Sequence, residues 1–326
     1  MTVQRQLELN VGGKALPLPI YFPSISSVKT ALLPQDYIQV LGSFVGVNNQ
    51  FLASAFDLAE FAQPADAAML LKRFREVGGI LLMDSGNYES FWKDARNKWK
   101  QESFHKMLAE FPSDLAFSFD EQDPPDDFNE HLALLINRWK QDQSVAGACQ
   151  IVPIIHGKAK DLPSLCSAFA AQSGVSMVAV AERRLGEGVI ERARSLQVIR
   201  NELNTLNRYV VVHLLGTGNP ISIALYSAMG ADSFDGLEWC QTVVDHDTGL
   251  LYHLSQADFF AKQTAWSEGD FSFSARTLAH NLEFYVSWMK RLQIAMGNDT
   301  VVDFCRLNFP EHVFRHCAHE FGWINS

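Results

Sequence analysis

Three aspartates, Asp84, Asp120 and Asp235, each stand at the end of a short apolar run with the composition of a buried strand. A carboxylate can act as a nucleophile or exchange protons with a substrate, so a group of three would support covalent or acid–base chemistry. A single aspartate in such a position often caps the helix that follows, which is a purely structural role. Because α/β barrels keep their catalytic side chains at the C-terminal ends of the strands, three such aspartates predict an active site.

The rest of the chain alternates apolar runs with amphipathic stretches, a pattern typical of βα units around a parallel sheet. The predicted strands are Leu18–Phe22, Ile38–Gly46, Gly79–Met83, Leu115–Phe119, Ile151–Ile155, Met177–Ala181, Tyr209–Leu214 and Ser233–Leu237. The predicted helices between them are Ala65–Glu76, Glu89–Glu110, Phe128–Gln143, Asp161–Gln172 and Gly188–Leu206. Eight such strands fit a closed barrel, so we expect an α/β protein with a (β/α)8 TIM barrel.

The sequence pattern changes near Gln241. Asp245–Gly249 predicts a turn, Tyr252–Phe273 is irregular and rich in aromatic residues, and Ala275–Leu292 predicts an amphipathic helix. We therefore expect a barrel core at residues 1–240 and a C-terminal helical appendage at residues 241–326 that packs on the barrel.

The composition limits the class of protein. A chain of 326 residues with 47% hydrophobic and 20% charged residues can bury a large core. No apolar run approaches the ~20 residues that span a bilayer, and the N-terminus does not resemble a secretory signal. Five scattered cysteines suit a reducing cytosol, so we expect a cytoplasmic protein without membrane contact. The net charge of −10 does not favour binding to a phosphate backbone, although it does not exclude a local basic patch.

Several motifs resemble those of the tRNA-guanine transglycosylase family and follow its order along the chain. Residues 83–89 resemble the family's D-S-G-G-[FY]-Q, residues 116–121 its A-F-D-E, residues 213–220 its Y-L-M-G-V-G-x-P, and residues 233–235 its M-F-D. Softer matches occur at residues 20–29, at Gly186 and Glu187, and in a helix at 280–289 that resembles the family's H-N-L helix. Any one of these motifs is weak evidence, but their occurrence together in the family's order is strong evidence.

The resemblance implies a (β/α)8 barrel and an enzyme that exchanges guanine in a polynucleotide for a 7-deazaguanine base. Asp235 would be the nucleophile that forms a covalent ester with the sugar, as a carboxylate does in retaining glycosidases. Asp84 would handle the protons of the leaving and entering bases, a role that suits a partly desolvated carboxyl with a raised pKa.

The resemblance also implies the residues of the base pocket. Asp120 would accept hydrogen bonds from the N1–H and 2-amino groups of guanine. Tyr88 and Leu215 would lie on the two faces of the base. Further contacts are expected from Ser85, Gly86 and Gly216.

The chain departs from the family at the zinc cluster. The C-x-C-x-x-C motif is missing, because the first cysteine after Cys240 is Cys305. A substitute site from Cys240, His246, His253 and His280 is conceivable, since zinc accepts mixed nitrogen and sulfur ligands. We expect instead that no metal and no other cofactor is bound. The zinc lobe helps family members to hold tRNA, so its loss puts that substrate in doubt.

Three further residues leave alternatives open. His156 stands where the family has glutamine, and a neutral imidazole also offers one donor and one acceptor to a base. Glu182 replaces a glycine and either recognises an amino-bearing deazapurine or forms an ion pair with Arg183 or Arg184, and we favour the ion pair. His213 lies inside an apolar strand, which favours a hydrogen-bonded core histidine over a catalytic one.

These observations support two hypotheses of function. The first is an enzyme of the pentosyltransferase class that exchanges guanine for a 7-deazaguanine base in a nucleic acid, DNA or tRNA, through a covalent aspartyl–sugar intermediate. The second is a base-binding subunit of a modification or antiviral defence complex that depends on a protein partner. Guanine or a 7-deazaguanine is the expected ligand in both, and a homodimer is compatible with both.

Overall fold

The chain folds into a barrel of parallel strands. The computed structural model describes residues 3–44, 48–61, 64–95 and 98–323. The strands in this part of the chain are β1 (Glu8–Val11), β2 (Lys14–Pro17), β3 (Ile20–Ile25), β4 (Gln50–Ser54), β5 (Ile80–Asp84), β6 (Leu115–Phe117), β7 (Gln150–Val152), β8 (Met177–Ala181), β9 (Val211–Leu215), β10 (Ser233–Gly236), β11 (Thr242–Val244) and β12 (Leu251–His253). β3 to β10 form one parallel sheet in the order β7-β6-β5-β4-β3-β10-β9-β8. A bridge from Ile154 to Ala179 joins its two edges, which confirms the (β/α)8 TIM barrel.

Helices surround the barrel and continue beyond it. The described α-helices are α1 (Pro34–Ser43), α2 (Ala55–Ala59), α3 (Pro64–Glu76), α4 (Asn87–Trp92), α5 (Gln101–Glu110), α6 (Phe128–Val145), α7 (Leu162–Ser173), α8 (Val189–Leu203), α9 (Pro220–Met229), α10 (Glu238–Gln241), α11 (Phe273–Gly297), α12 (Val301–Asn308) and α13 (Glu311–Phe321). Side-chain caps mark the starts of α6 and α9: the side chain of Asp127 accepts hydrogen bonds from the first backbone N–H groups of α6, and Asn219 does the same for α9. Among the described helices, none combines the length and the apolar character that crossing a lipid bilayer would require.

Apolar side chains fill two layers. Inside the barrel, Phe22, Leu82 and Phe117 are fully buried, and the β1–β2 hairpin closes the N-terminal end of the barrel with Val11 and Leu16. A second, larger cluster lies between the outer faces of the strands and the helices. Because the N-terminal end is closed, the opposite end, where the strands finish, is the accessible mouth.

The structure corrects one predicted strand and one predicted helix. The predicted strand Ile38–Gly46 is wrong: α1 occupies most of it, and the barrel strand is β4. Pro34 begins α1, and the buried Tyr37, Ile38 and Leu41 follow helical spacing, so the apolar run is one face of a helix. Residues 45–47 lie outside the described residues.

The predicted helix Glu89–Glu110 is two helices, α4 and α5. They are separated by a stretch in which Asp94 has a positive φ of 53°, a conformation that a continuous helix cannot contain. Residues 96–97 within this stretch lie outside the described residues. α4 therefore belongs to the mouth of the barrel as a short separate helix.

The C-terminal region packs against the barrel. The predicted turn Asp245–Gly249 connects β11 to β12, and the predicted helix Ala275–Leu292 lies within α11. The Tyr285 hydroxyl on α11 donates a hydrogen bond to the backbone carbonyl of Gly218 at 2.7 Å, and its ring stacks on Tyr21 at 4.6 Å between centroids. The division of the chain at residue 240 stays a prediction.

Candidate active site

Asp235 lies where the first and last strands of the barrel meet. On β10 it stands opposite Phe22 of β3, and Ser233, two residues earlier on the same face, stands opposite His213 of β9. The two neighbouring strands bring polar side chains to the aspartate, His213 from β9 and Ser24 from β3. Asp235 is 8% exposed.

Three donors hold the carboxylate of Asp235. Oδ1 accepts hydrogen bonds from Nε2 of His213 at 3.0 Å and from the backbone N–H of Gly216 at 3.1 Å. Oδ2 accepts one from the hydroxyl of Ser24 at 2.8 Å. Hydrogen bonds of this kind stabilise and orient the charged form of a carboxylate. Sequence reasoning missed Ser24, which is found only once the pairing of β10 with β3 is known.

Asp84 lies at the end of β5 and keeps a partly exposed edge. Burial raises the pKa of Asp84 well above its usual range, and the nearby carboxyl groups of Glu89, Asp120 and Asp235 raise it further. Its Oδ2 accepts a hydrogen bond from the backbone N–H of Gly86 at 3.0 Å, which opposes this effect. The role of Asp84 as a carrier of protons for the base stays a prediction.

A fourth acid, Glu89, is buried beside Asp84 and was not among the predicted site residues. Its two oxygens accept hydrogen bonds from the hydroxyls of Ser26 at 2.6 Å and Ser54 at 2.7 Å. Burial raises the pKa of Glu89 to about 7, and the nearby Asp57 adds to this effect. The sequence carried a signal, because Glu89 stands where the D-S-G-G-[FY]-Q pattern has a neutral glutamine.

We expect Glu89→Gln to remove part of the pH dependence of stability. The pKa of Glu89 is raised in the folded state, so wild-type protein loses stability as pH rises from the unfolded value near 4.5 through about 7. Glutamine cannot ionise and can keep both serine contacts. Between pH 5 and pH 8 the variant should therefore gain on the order of 2 kcal/mol of unfolding free energy relative to wild type. Urea unfolding at the two pH values measures this difference, and parallel behaviour of the two proteins would contradict it.

Asp120 is surrounded by donors from the protein itself. Oδ1 accepts hydrogen bonds from Ser85 at 3.1 Å and from the Asn87 amide at 2.6 Å, and Oδ2 is held by Nε2 of His156 at 2.5 Å and by the Gln122 amide. Burial raises the pKa of Asp120, but the His156 and Asn87 contacts outweigh it and lower the pKa overall. Four partners use the accepting positions of the carboxylate, so a base that binds Asp120 must displace some of them.

His156 contributes to this site through Asp120. Its Nε2 contacts the carboxylate, and its Nδ1 is buried without a hydrogen-bond partner among the described residues. Asn87 and Gln122 were not predicted. The sequence did contain a signal for Asn87. It occupies the second glycine position of the D-S-G-G pattern, so its side chain fills space that a glycine leaves open.

The other predicted pocket residues lie at the same mouth. Ser85 is 1% exposed, whereas Tyr88 is 36% exposed and its ring meets Trp92 edge-on at 6.3 Å between centroids. Gly86 has a φ of 85° and a hypothetical Cβ would lie 2.6 Å from the backbone nitrogen of Phe56, so only glycine fits. Leu215 ends β9 immediately before Gly216. The placement of a base between Tyr88 and Leu215 stays a prediction.

Glu182 forms an ion pair, but with a different arginine from the two expected. Its Oε1 lies 3.1 Å from the guanidinium of Arg192 and accepts a hydrogen bond from the Tyr226 hydroxyl at 2.7 Å. Arg183 and Arg184 follow Glu182 in one short 3₁₀ turn, whereas Arg192 lies on α8, the helix that follows this turn. Helix α8 thus places Arg192 beside Glu182 at the mouth. The local sequence around Glu182 does not predict this contact.

A further acid explains why Gly218 is a glycine. A Cβ on Gly218 would lie 2.1 Å from Oε2 of Glu238, so the glycine leaves room for that carboxyl group beside the strand that carries Asp235. Burial raises the pKa of Glu238 to about 7. Gly216 and Gly218 therefore have different roles. Gly218 leaves room for Glu238, whereas the backbone N–H of Gly216 donates a hydrogen bond to Asp235.

The four residues considered for a substitute zinc site are occupied by other contacts. His280 Nε2 bonds to the Val244 carbonyl at 2.8 Å, and His246 Nε2 bonds to the His280 carbonyl at 3.0 Å. His253 bonds to the Ser255 hydroxyl, and burial raises the pKa of the Cys240 thiol to about 12. Over the ranges that the structure describes, no cluster of three or more His, Cys, Asp or Glu side chains is suited to a metal ion. These residues do not fit a zinc ion.

The chain is similar in sequence to known proteins. A sequence profile of the family described as TGT, queuine tRNA-ribosyltransferase, matches residues 2–242. A protein of Methanopyrus kandleri named tRNA-guanine(15) transglycosylase is 25% identical over 244 residues, which cover 71% of this chain and 50% of that protein. A protein of the same name from Thermococcus onnurineus is 22% identical over 270 residues, which cover 78% of this chain and 44% of that protein.

The chain spans about half the length of the curated relatives it matches. The profile nevertheless covers well over half of this chain and includes all three strand-end aspartates. The chain belongs to the TGT, or queuine tRNA-ribosyltransferase, family.

Proposed function

We propose that this protein exchanges guanine for a 7-deazaguanine base in a nucleic acid through a covalent intermediate on Asp235. The observation that carries the proposal is the contrast between the two acids at the mouth. Asp235 is held by three donors that favour a carboxylate, whereas the environment of Asp84 favours its protonated form. A nucleophile and a proton donor are the two groups that double displacement at a glycosidic carbon needs.

The first half of the reaction forms the intermediate. A carboxylate oxygen of Asp235 bonds to the anomeric carbon, the bond from that carbon to the guanine nitrogen breaks, and its electron pair leaves with the base. Asp84 supplies the proton that makes guanine a neutral leaving group. The second half is the reverse: the incoming base gives its proton to Asp84, and its nitrogen displaces Asp235 from the sugar.

Asp120 would hold the base in both halves. Its lowered pKa keeps it a carboxylate, which can accept from the N1–H and 2-amino groups of guanine together. In the structure the Asn87 and Gln122 amides donate hydrogen bonds to the two oxygens of that carboxylate. We propose that the base replaces these two amides, while His156 and Ser85 keep Asp120 in place.

The proposed polymer is RNA or DNA. The matched relatives are named for action on tRNA. Because the match covers only about half of each relative, their names do not decide which polymer this chain uses. The test incubates wild-type protein with 9-deazaguanine and either a tRNA transcript, single-stranded DNA or duplex DNA. We expect a covalent protein–nucleic acid adduct with at least one of them on a denaturing gel. Absence of an adduct and of labelled guanine exchange with all three would contradict the proposal, and release of guanine without incorporation would indicate a nucleosidase.

A base-binding subunit that relies on a partner is the second candidate. The net charge of −10 favours it, because an acidic chain binds a polyanion poorly by itself. Thermal unfolding with guanine, cyano- and aminomethyl-deazaguanine and oligonucleotides separates the two. Stabilisation by a base but by none of the oligonucleotides would favour the subunit.

A further inference from the structure

The two oxygens of Asp235 are held unequally. Oδ1 accepts two hydrogen bonds, from His213 at 3.0 Å and from the Gly216 backbone at 3.1 Å. Oδ2 accepts one, from Ser24 at 2.8 Å. Each hydrogen bond withdraws electron density from a lone pair, so Oδ2 is the freer oxygen to form a new bond.

Burial, a contact with Ser233 and two aromatic neighbours fix the position of the His213 ring. The residue is fully buried, and its Nδ1 lies 2.7 Å from the hydroxyl of Ser233, the residue paired with it on β10. Its ring meets Phe117 edge-on at 4.8 Å between centroids and lies 6.5 Å from Phe22. A ring packed in this way keeps one orientation toward Asp235.

The proton positions follow from the partners. A carboxylate can only accept, so Nε2 of His213 carries the hydrogen that it donates to Oδ1. In the tautomer that carries its one hydrogen on Nε2, Nδ1 accepts the hydroxyl hydrogen of Ser233. Ser233, His213 and Asp235 thus form one directed chain of hydrogen bonds across the β9–β10 pair.

We propose that His213 is a positioning residue that holds Oδ1 of Asp235 so that Oδ2 attacks the sugar. This inference rests on the proposed function. The bond from Oδ2 to the anomeric carbon forms as the carbon–nitrogen bond to the base breaks, and no proton passes to or from His213. When the incoming base displaces Asp235, the hydrogen bonds to Oδ1 stabilise the departing carboxylate.

Two variants separate this role from packing. In His213→Gln the amide nitrogen falls near the position of Nε2, whereas in His213→Asn it falls near Nδ1 and reaches Ser233 alone. We expect kcat for base exchange to fall by less than about 5-fold in the glutamine variant and by about 10–100-fold in the asparagine variant, since a hydrogen bond to a charged group is lost only in the latter. KM for the nucleic acid should change by less than about 2-fold in both variants, because position 213 is fully buried.

Equal losses of kcat in the two variants would overturn the inference, because packing alone does not distinguish the two amide positions. Asp235→Asn tests the proposed function separately: if that variant keeps exchange activity, the proposed function fails, whatever the His213 variants do. A second measurement uses wild-type protein, so it does not depend on whether a variant folds. In wild-type protein with labelled histidine, the NMR signal of the Nε2 hydrogen should shift when the adduct with 9-deazaguanine forms, since an ester oxygen is a weaker acceptor than a carboxylate. An unchanged signal in a preparation that contains the adduct would also overturn the inference.

Discussion

Replacement of Asp235 by asparagine should abolish the covalent adduct and lower kcat for base exchange by at least about 10³-fold. An amide cannot form the ester with the sugar. The asparagine oxygen can still accept from His213 and Gly216, and its amide group can donate to Ser24, so the fold and the mouth should persist. The adduct is measured by mass spectrometry, and kcat by incorporation of labelled guanine into the polymer identified with wild-type protein.

Ser24→Ala is the matched control for this prediction. It removes one donor from Oδ2 and leaves the nucleophile, so we expect the adduct to form and kcat to stay within about 10-fold of the wild-type value. An adduct in Asp235→Asn that maps to Asp84 would contradict the assignment. The raised pKa of Asp84 argues against that outcome, because a protonated carboxyl is a poor nucleophile.

The second large effect concerns stability at the opposite end of the barrel. Asp232, just before β10, is fully buried, and its carboxylate contacts Arg200 at 2.8 Å, Arg5 at 2.7 Å and the Tyr209 hydroxyl at 2.7 Å. Asp232→Ala leaves the buried guanidinium of Arg200 without its counter-charge. We therefore expect the free energy of unfolding to fall by about 3–5 kcal/mol, measured by urea denaturation.

Asp126→Ala provides the comparison for Asp232→Ala. Asp126 forms an ion pair with Lys158 at 2.7 Å, but both side chains are exposed, so its loss should not shift the urea midpoint measurably. Because Asp232 lies at the end of the barrel away from Asp235, kcat of the folded variant should match wild type. Equal urea midpoints for the two variants would show that the buried carboxylate does not stabilise the fold.

Periodicity and strand-end residues were enough to predict the barrel. Seven of the eight predicted strands overlap observed barrel strands, because most of them are short apolar runs. The predicted strand Ile38–Gly46 failed because its apolar run is the buried face of α1. A short apolar run does not distinguish the two forms, and β4, at Gln50–Ser54, is only five residues long.

The site was predictable only in part. Strand-end position located Asp84, Asp120 and Asp235, and the structure brings them to one mouth, where the charges of Asp120 and Asp235 raise the pKa of Asp84. The partners of these acids come from other strands and helices, as Ser24 does for Asp235 and Arg192 for Glu182. The first contact depends on closure of the barrel, and the second depends on the direction in which α8 packs. The spacing of neighbouring residues in the sequence predicts neither.

The pairing of β10 with β3 has a consequence for the newly made chain. Ser24, Asp84 and Asp120 leave the ribosome well before Asp235, and Asp235 meets Ser24 only when the last strand completes the barrel. On the proposed mechanism, an unfinished or partly opened copy therefore has acids but no oriented nucleophile. On that mechanism, nascent copies should leave cellular nucleic acids unmodified, since Asp235 becomes oriented only when the barrel is complete.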